Sequence, residues 1–137
     1  ELNHKAIDLY NIVLDIERYP EYIPWCSNIE ILKRNSKEIK ANMYVDYKFF
    51  TSQKFTSKVI YNLEKLIIKT KYIEGPLKDL ETVWYFKDIN SKKSKVLFEV
   101  EFEFKNFFHQ KLAELFFPLI ESKMIESFIR RANDTLD

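Results

Sequence analysis

"VLFEVEFEFK", residues Val96 to Lys105, alternates one side chain at a time: Val96, Phe98, Val100, Phe102 and Phe104 fall on one phase, and Glu99, Glu101, Glu103 and Lys105 on the other. Successive side chains of a strand point to opposite faces, so this segment is a strand with one side against apolar matter and the other against water. The same phase returns in Ile39, Ala41, Met43, Val45, Tyr47 and Phe49, in Phe55, Ser57, Val59 and Tyr61, and in Leu80, Thr82, Trp84 and Phe86. From Asn28 to Phe104 the period stays at 2, with breaks near residues 35–37, 51–53, 62–65, 74–79 and 90–94. About six strands in meander spacing are predicted. An antiparallel sheet with one greasy face needs a cover.

That cover is the stretch 106–136, where Phe108, Leu112, Leu115, Phe116, Leu119, Ile120, Met124, Phe128 and Ala132 recur at helical spacing. Gln110, Lys111, Glu114, Glu121, Glu126 and Arg130 make up its other side. Pro118 removes the bond that would reach back to Glu114 and predicts a kink. At the opposite end Asn3 is placed to cap a first helix carrying Ile7, Leu9, Tyr10, Val13, Leu14 and Ile16, ending near Arg18. Pro20 and Pro24 hold Tyr19 and Ile23 away from helical geometry. The stretch "RYPEYIPWC", Arg18 to Cys26, is therefore a stiff elbow with at most one short turn.

A chain of 137 residues, read as one domain over 1–137, has room for one good core. Its 22 Lys and Arg against 21 Asp and Glu leave a net charge of +1, without the electrostatic footprint of a phosphate-tracking protein, so no DNA partner is expected. A lone cysteine, Cys26, forbids an internal disulfide and a four-thiolate metal site and fits a reducing compartment. No apolar run approaches the ~18 residues a membrane span requires. A soluble, cytoplasmic protein is expected.

Motifs for catalysis are scarce. No Gly-rich phosphate loop, nucleophile elbow or metal-ligand spacing occurs. His4 and His109 read as solvated, Cys26 as a buried structural thiol, and the Glu99, Glu101, Glu103 row as a wet face. No acid or base falls on the inward phase. The aromatics point one way: Tyr47, Phe49, Phe55, Trp84, Phe86, Phe98, Phe102 and Phe104 face Phe116, Ile120 and Met124 across the layer. They either fill a core or wall a cavity, and a curved sheet around one helix leaves room for the second.

The segments "DIERYPEYIPWC" (15–26), "DYKFFTSQKFTSKV" (46–59), "YIEGPLKDLETVWYF" (72–86), "VLFEVEFEFKN" (96–106) and "FIRRANDTL" (128–136) together resemble the coenzyme Q-binding protein family. That family belongs to the START-like, helix-grip superfamily, broadly described as polyketide cyclase or dehydrase-like, which also includes the bacterial ribosome association toxin. The resemblance implies an α+β helix-grip fold, in which a curved antiparallel sheet of six to seven strands wraps the long C-terminal helix. It further implies a lipid-sized cavity for ubiquinone or a similar isoprenoid, supporting respiration or ubiquinone biosynthesis without catalysis and without a further cofactor or metal.

By position, Trp25 and Pro24 would stand at the cavity mouth, with Gly75 and Pro76 in the turn before the sixth strand. Trp84, Phe86, Phe102 and Phe104 would form the wall, with Trp25, Tyr47, Phe49, Phe55, Phe116, Ile120 and Met124 completing it. For a quinone head, Tyr47, Tyr61 and Thr82 are the candidate polar partners. The family opens with a strand before the first helix; only Glu1 and Leu2 precede Asn3, so that strand is missing or trimmed and an edge is left exposed. The resemblance implies peripheral contact with the inner membrane. The toxin branch implies a ribosomal partner instead, which needs a basic patch, here Lys123, Arg130 and Arg131 with Lys92 and Lys93. A cyclase-like enzyme would need the inward acid or base that the strand phase does not supply.

Overall fold

The computed structural model describes residues 1–47 and 50–136, excepting the side chains of Tyr47, Phe50, Thr51, Ser52, Phe116 and Ile120. Six strands form one curved antiparallel sheet: β1 Cys26–Arg34, β2 Glu38–Tyr47, β3 Phe50–Asn62, β4 Ile67–Glu74, β5 Leu77–Asp88 and β6 Ser94–Phe104. Each pairs with its neighbour in sequence, in the order β1-β2-β3-β4-β5-β6. The long helix α2, Phe107–Leu136, lies across the apolar face. This is the helix-grip architecture.

The register carries the alternation of Val96–Lys105 into space. Leu80 faces Phe102, Thr82 faces Val100 and Trp84 faces Phe98, while Glu81 and Glu101 pair on the opposite side. Residues 51–53, expected to be a break, lie within β3, which begins at Phe50 and pairs Gln53 with Val45. Outside the strands, Leu2 and Ser94 exchange two backbone bonds of 2.8 and 2.9 Å, an isolated antiparallel bridge on the free edge of β6.

The first helix, α1, is shorter than its apolar pattern suggests, running from Ala6 to Leu14. Asn3 does not cap it. The Ala6 N–H instead donates to Asp88 Oδ1 at 2.8 Å, an acceptor supplied by the end of β5. A separate 3-10 turn, Ile16–Glu21, follows with Pro20 inside it. The 3-10 form suits this segment because its tighter winding needs few residues and the missing proline donor matters less in one short turn.

Pro118 does not break α2, which continues as a helix on both sides of it. The face that α2 turns inward differs from the expected one. Ala113, Phe117, Glu121, Met124 and Phe128 line the space against the sheet, whereas Phe107, Phe108, Leu115 and Leu119 are exposed. Gln110 accounts for this rotation: its Oε1 accepts the Phe104 N–H at 2.8 Å, which pins position 110 inward and carries 113, 117 and 121 with it. Towards its C-terminus α2 packs on α1, with Phe128 and Ala132 buried.

Candidate functional site: an apolar cavity under the long helix

Between sheet and helix lies a partly open cavity of about 290 Å³. Its wall is mainly apolar because apolar residues predominate on the inward phase of the strands. Trp25, Phe55, Trp84, Phe102, Phe104 and Met124 all contribute to it. Tilted or edge contacts hold these rings apart: Phe102 lies 5.1 Å from Phe117, and Trp84 lies 4.4 Å from Phe98 and 5.0 Å from Phe128. The side chains of Tyr47, Phe116 and Ile120, and Phe49 altogether, lie outside the described residues.

Phe86 is placed elsewhere. It stacks 6.0 Å behind Trp84 and meets Tyr10 of α1 edge-on at 5.8 Å, beside a second hollow of about 160 Å³. Pro24, Gly75 and Pro76, expected at the cavity mouth, are not among the residues that line the cavity. Pro24 is exposed, and Gly75 and Pro76 form the turn between β4 and β5. Gly75 is required there by its φ of 147° and by crowding: a Cβ would stand 2.7 Å from the Lys54 carbonyl and 2.8 Å from the Tyr72 hydroxyl.

The elbow fastens the helix. Tyr19 and Tyr22 present their edges to Phe128 at 5.5 and 5.4 Å, and the Tyr19 O–H donates to the Val13 carbonyl. Trp25 follows on the cavity wall, buried, with its carbonyl accepting the Asp46 N–H at 3.0 Å. Burial, then the neighbouring Tyr22, pushes the Tyr19 hydroxyl well above the usual tyrosine range. Burial also drives Tyr22 upward against the opposing pull of Arg131. The Cys26 thiol, buried and unbonded to sulfur, is pushed from 9.0 to about 11.

Polar groups enter the wall at few points. Ser57, Thr70 and Thr82 do so from the strands and Glu121 from the helix. Glu121 corrects the expectation that no acid faces inward; the 113, 117, 121, 124, 128 spacing was available to reveal it, but the competing apolar residues on the other side of α2 masked that phase. Tyr61 is not a cavity group, since its hydroxyl donates to the Asn35 carbonyl at 2.6 Å. His4 is not solvated: it is buried with Nε2 at 2.9 Å from Asn133 Oδ1, tying α2 to the segment before α1.

The basic patch expected near the C-terminus is largely spent within the fold. Arg130 pairs with Glu126 at 2.8 Å and Arg131 with Glu21 at 3.1 Å. A different basic feature crosses the convex side of the sheet. Lys33 faces Lys40, Lys40 faces Lys58, and Lys58 faces Lys71, a straight row over four adjacent strands. Strands lie ~4.8 Å apart and like charges directly opposite one another repel, so the row costs stability. Only Lys58 of these four has a carboxylate within salt-bridge range among the described residues, Glu38 at 3.7 Å.

Residues 2–129 match the family model for polyketide cyclase/dehydrase and lipid transport proteins. The chain belongs to that family. The chain is 29% identical to the ribosome association toxin RatA of Rickettsia prowazekii over 138 residues, covering 98% of the chain and 93% of that protein. It is 28% identical to the mitochondrial coenzyme Q-binding protein COQ10 of Dictyostelium discoideum, covering 98% of the chain and 66% of that protein. Among solved structures, the ZhuI aromatase/cyclase of a Streptomyces species superposes with a TM-score of 0.90 at 12% identity, covering 99% of this chain and 91% of the other. An 18 kDa Caulobacter crescentus protein gives 0.79 at 23%, covering 97% and 91%. These structures share the fold. Among the described residues, no helix is long and apolar enough to cross a membrane.

Proposed function

We propose that this protein binds ubiquinone or a related isoprenoid lipid and carries or presents it without chemistry of its own. The observation behind this reading is the partly open cavity of about 290 Å³, walled by Trp25, Phe55, Trp84, Phe102 and Phe104. Burying each CH2 gains roughly 0.8 kcal/mol, so such a wall needs no charged anchor to hold an isoprenoid. The volume sits at the small end of ligand pockets, about 300–1,000 Å³. It takes a ring and the start of a tail, and the rest of a long tail extends past the wall. The similarity to the coenzyme Q-binding protein supports the quinone, and exposed Phe107 and Phe108 at the start of α2 support contact with the inner membrane surface from the cytoplasm. Organic extraction of protein purified from its own cell, followed by mass spectrometry, tests the reading. A co-purifying quinone or isoprenoid is the expected result; extracts without any hydrophobic ligand would overturn it.

A second reading, association with the large ribosomal subunit, draws support from the Lys33, Lys40, Lys58 and Lys71 row and from the similarity to RatA. Lysines that repel each other in the free protein gain when they meet phosphates and release counterions. Sedimentation of ribosomal subunits with wild-type protein and with a Lys40→Glu, Lys58→Glu double variant is the test. Subunit association altered by wild type and unaffected by the variant fits this reading. Profiles unchanged by wild type end it.

A further inference from the structure

The cavity's polar groups are not scattered. On the wall, Phe117 of α2 stands over Phe102, which faces Leu80 of β5, and Phe128 stands over Trp84 of the same strand. Along the helix Glu121 lies four residues beyond Phe117, about 6 Å at 1.5 Å per residue. Along β5 Thr82 lies two residues beyond Leu80, about 7 Å at 3.3 Å per residue, and in the same direction. Glu121 and Thr82 are therefore at one level of the cavity. Thr70 of β4 is directly opposite Thr82, and Ser57 of β3 lies one diagonal step away, because its neighbour Val59 is the residue facing Thr70. All four residues line the cavity, and none of their side chains has a hydrogen-bond partner among the described residues.

Half-buried polar groups that open on an apolar cavity and have no partner in the fold are met by water or by a ligand able to bond to them. Their chemistry restricts what that is. Hydroxyls donate or accept, whereas a carboxylate only accepts. A quinone ring offers acceptors alone, so its oxygens would meet Glu121 lone pair against lone pair. The corresponding hydroquinone carries two O–H groups, one of which can give Glu121 a charge-assisted bond while its ring oxygens take donors from the threonines.

Taking the carrier reading above as its basis, we propose that Glu121, Thr82, Thr70 and Ser57 form a polar subsite for a ring bearing a donating hydroxyl. The protein thus holds the reduced, hydroquinone form of its isoprenoid ligand in preference to the quinone. The experiment titrates a short-tailed ubiquinone analogue and its reduced hydroquinone, anaerobically, into wild type, Glu121→Gln and Thr82→Val, following tryptophan fluorescence. Wild type should bind the hydroquinone about tenfold more tightly, as one charge-assisted bond provides. Glu121→Gln, which keeps the volume and offers both donor and acceptor, should bring the ratio below about twofold. Thr82→Val should weaken both forms and leave the ratio standing. Equal wild-type affinity for the two forms, or a ratio unmoved by Glu121→Gln, overturns the subsite while leaving the carrier reading intact. Binding of neither form by wild type overturns the carrier reading for quinones and the subsite with it.

Discussion

Arg131, on the last turns of α2, lays its guanidinium 5.0 Å from the centre of the Tyr22 ring, so the elbow after α1 is clasped by the far end of the chain. The same group donates to Glu21 Oε1 at 3.1 Å. Since Glu21 is half exposed, the ion pair is worth little, and most of the attraction comes from the ring face. Arg131→Met should lower stability by about 1 kcal/mol in urea unfolding, and Glu21→Gln by less than half of that. Equal losses would show that the salt bridge, not the ring, carries the contact.

Adjacent positions on β6 should respond in opposite ways. Phe104 lines the cavity, while Glu103 faces out toward Lys78 at 3.5 Å. Phe104→Asp should leave the domain folded and abolish binding of a ubiquinone analogue, because a carboxylate draws water into the wall. Glu103→Gln should change stability by no more than about half a kcal/mol. Phe128→Ala is the packing counterpart: three aromatic neighbours surround that ring, and its loss should cost about 3 to 5 kcal/mol. Thermal unfolding with ligand titration separates the three.

Gly75→Ala should destabilise by roughly 1 to 3 kcal/mol, since the new Cβ meets a backbone carbonyl at a φ that L residues avoid. The same Cβ displaces the Tyr72 hydroxyl, which accepts the Leu77 N–H at 2.9 Å. Slower exchange of the Leu77 amide in the variant than in wild type would contradict this.

Alkali should loosen the elbow first. Cys26, Tyr19 and Tyr22 are all held more protonated in the fold than in the unfolded chain. The thiol's contribution is complete below pH 9, its ordinary value, and is lost as the pH rises through about 11, its folded value, whereas the two tyrosines add to the loss only above pH 10, the ordinary tyrosine value. Stability should fall across that window, and Cys26→Ser should remove on the order of 2 kcal/mol of the fall. Iodoacetamide at mild alkaline pH should spare Cys26 until denaturant is added. A flat stability profile up to pH 11 would contradict it.

How much of this was legible in the sequence depended on what fixed each feature. The inward faces of β5 and β6 followed from the alternation of Leu80–Phe86 and Val96–Phe104, since a strand's period is rigid and one face is unmistakably apolar. The rotation of α2 did not follow, because Phe107, Phe108, Leu112, Leu115, Phe117 and Leu119 surround its first turns on all sides. No periodicity can choose among them; a tertiary bond from Phe104 to Gln110 does. Glu121 was misplaced for the same reason. The lysine row was hidden by register: the shifts between Ile31 and Lys33 and between Thr56 and Ser57 bring residues into line that no spacing in the chain connects.

The strictly sequential strand order also governs how the molecule comes together in time. Every pairing between the six strands joins neighbours in the chain, so each closes only a short loop, which favours rapid assembly for a β-rich protein. Contacts that span nearly the whole chain join its two helical ends: His4 with Asn133, Tyr19 and Tyr22 with Phe128, and Glu21 and Tyr22 with Arg131. Because such distant partners meet late, weakening them should leave the folding rate nearly untouched and appear almost wholly as faster unfolding. The clasp between the two ends of the chain thus sets the lifetime of the folded protein rather than the speed of its formation.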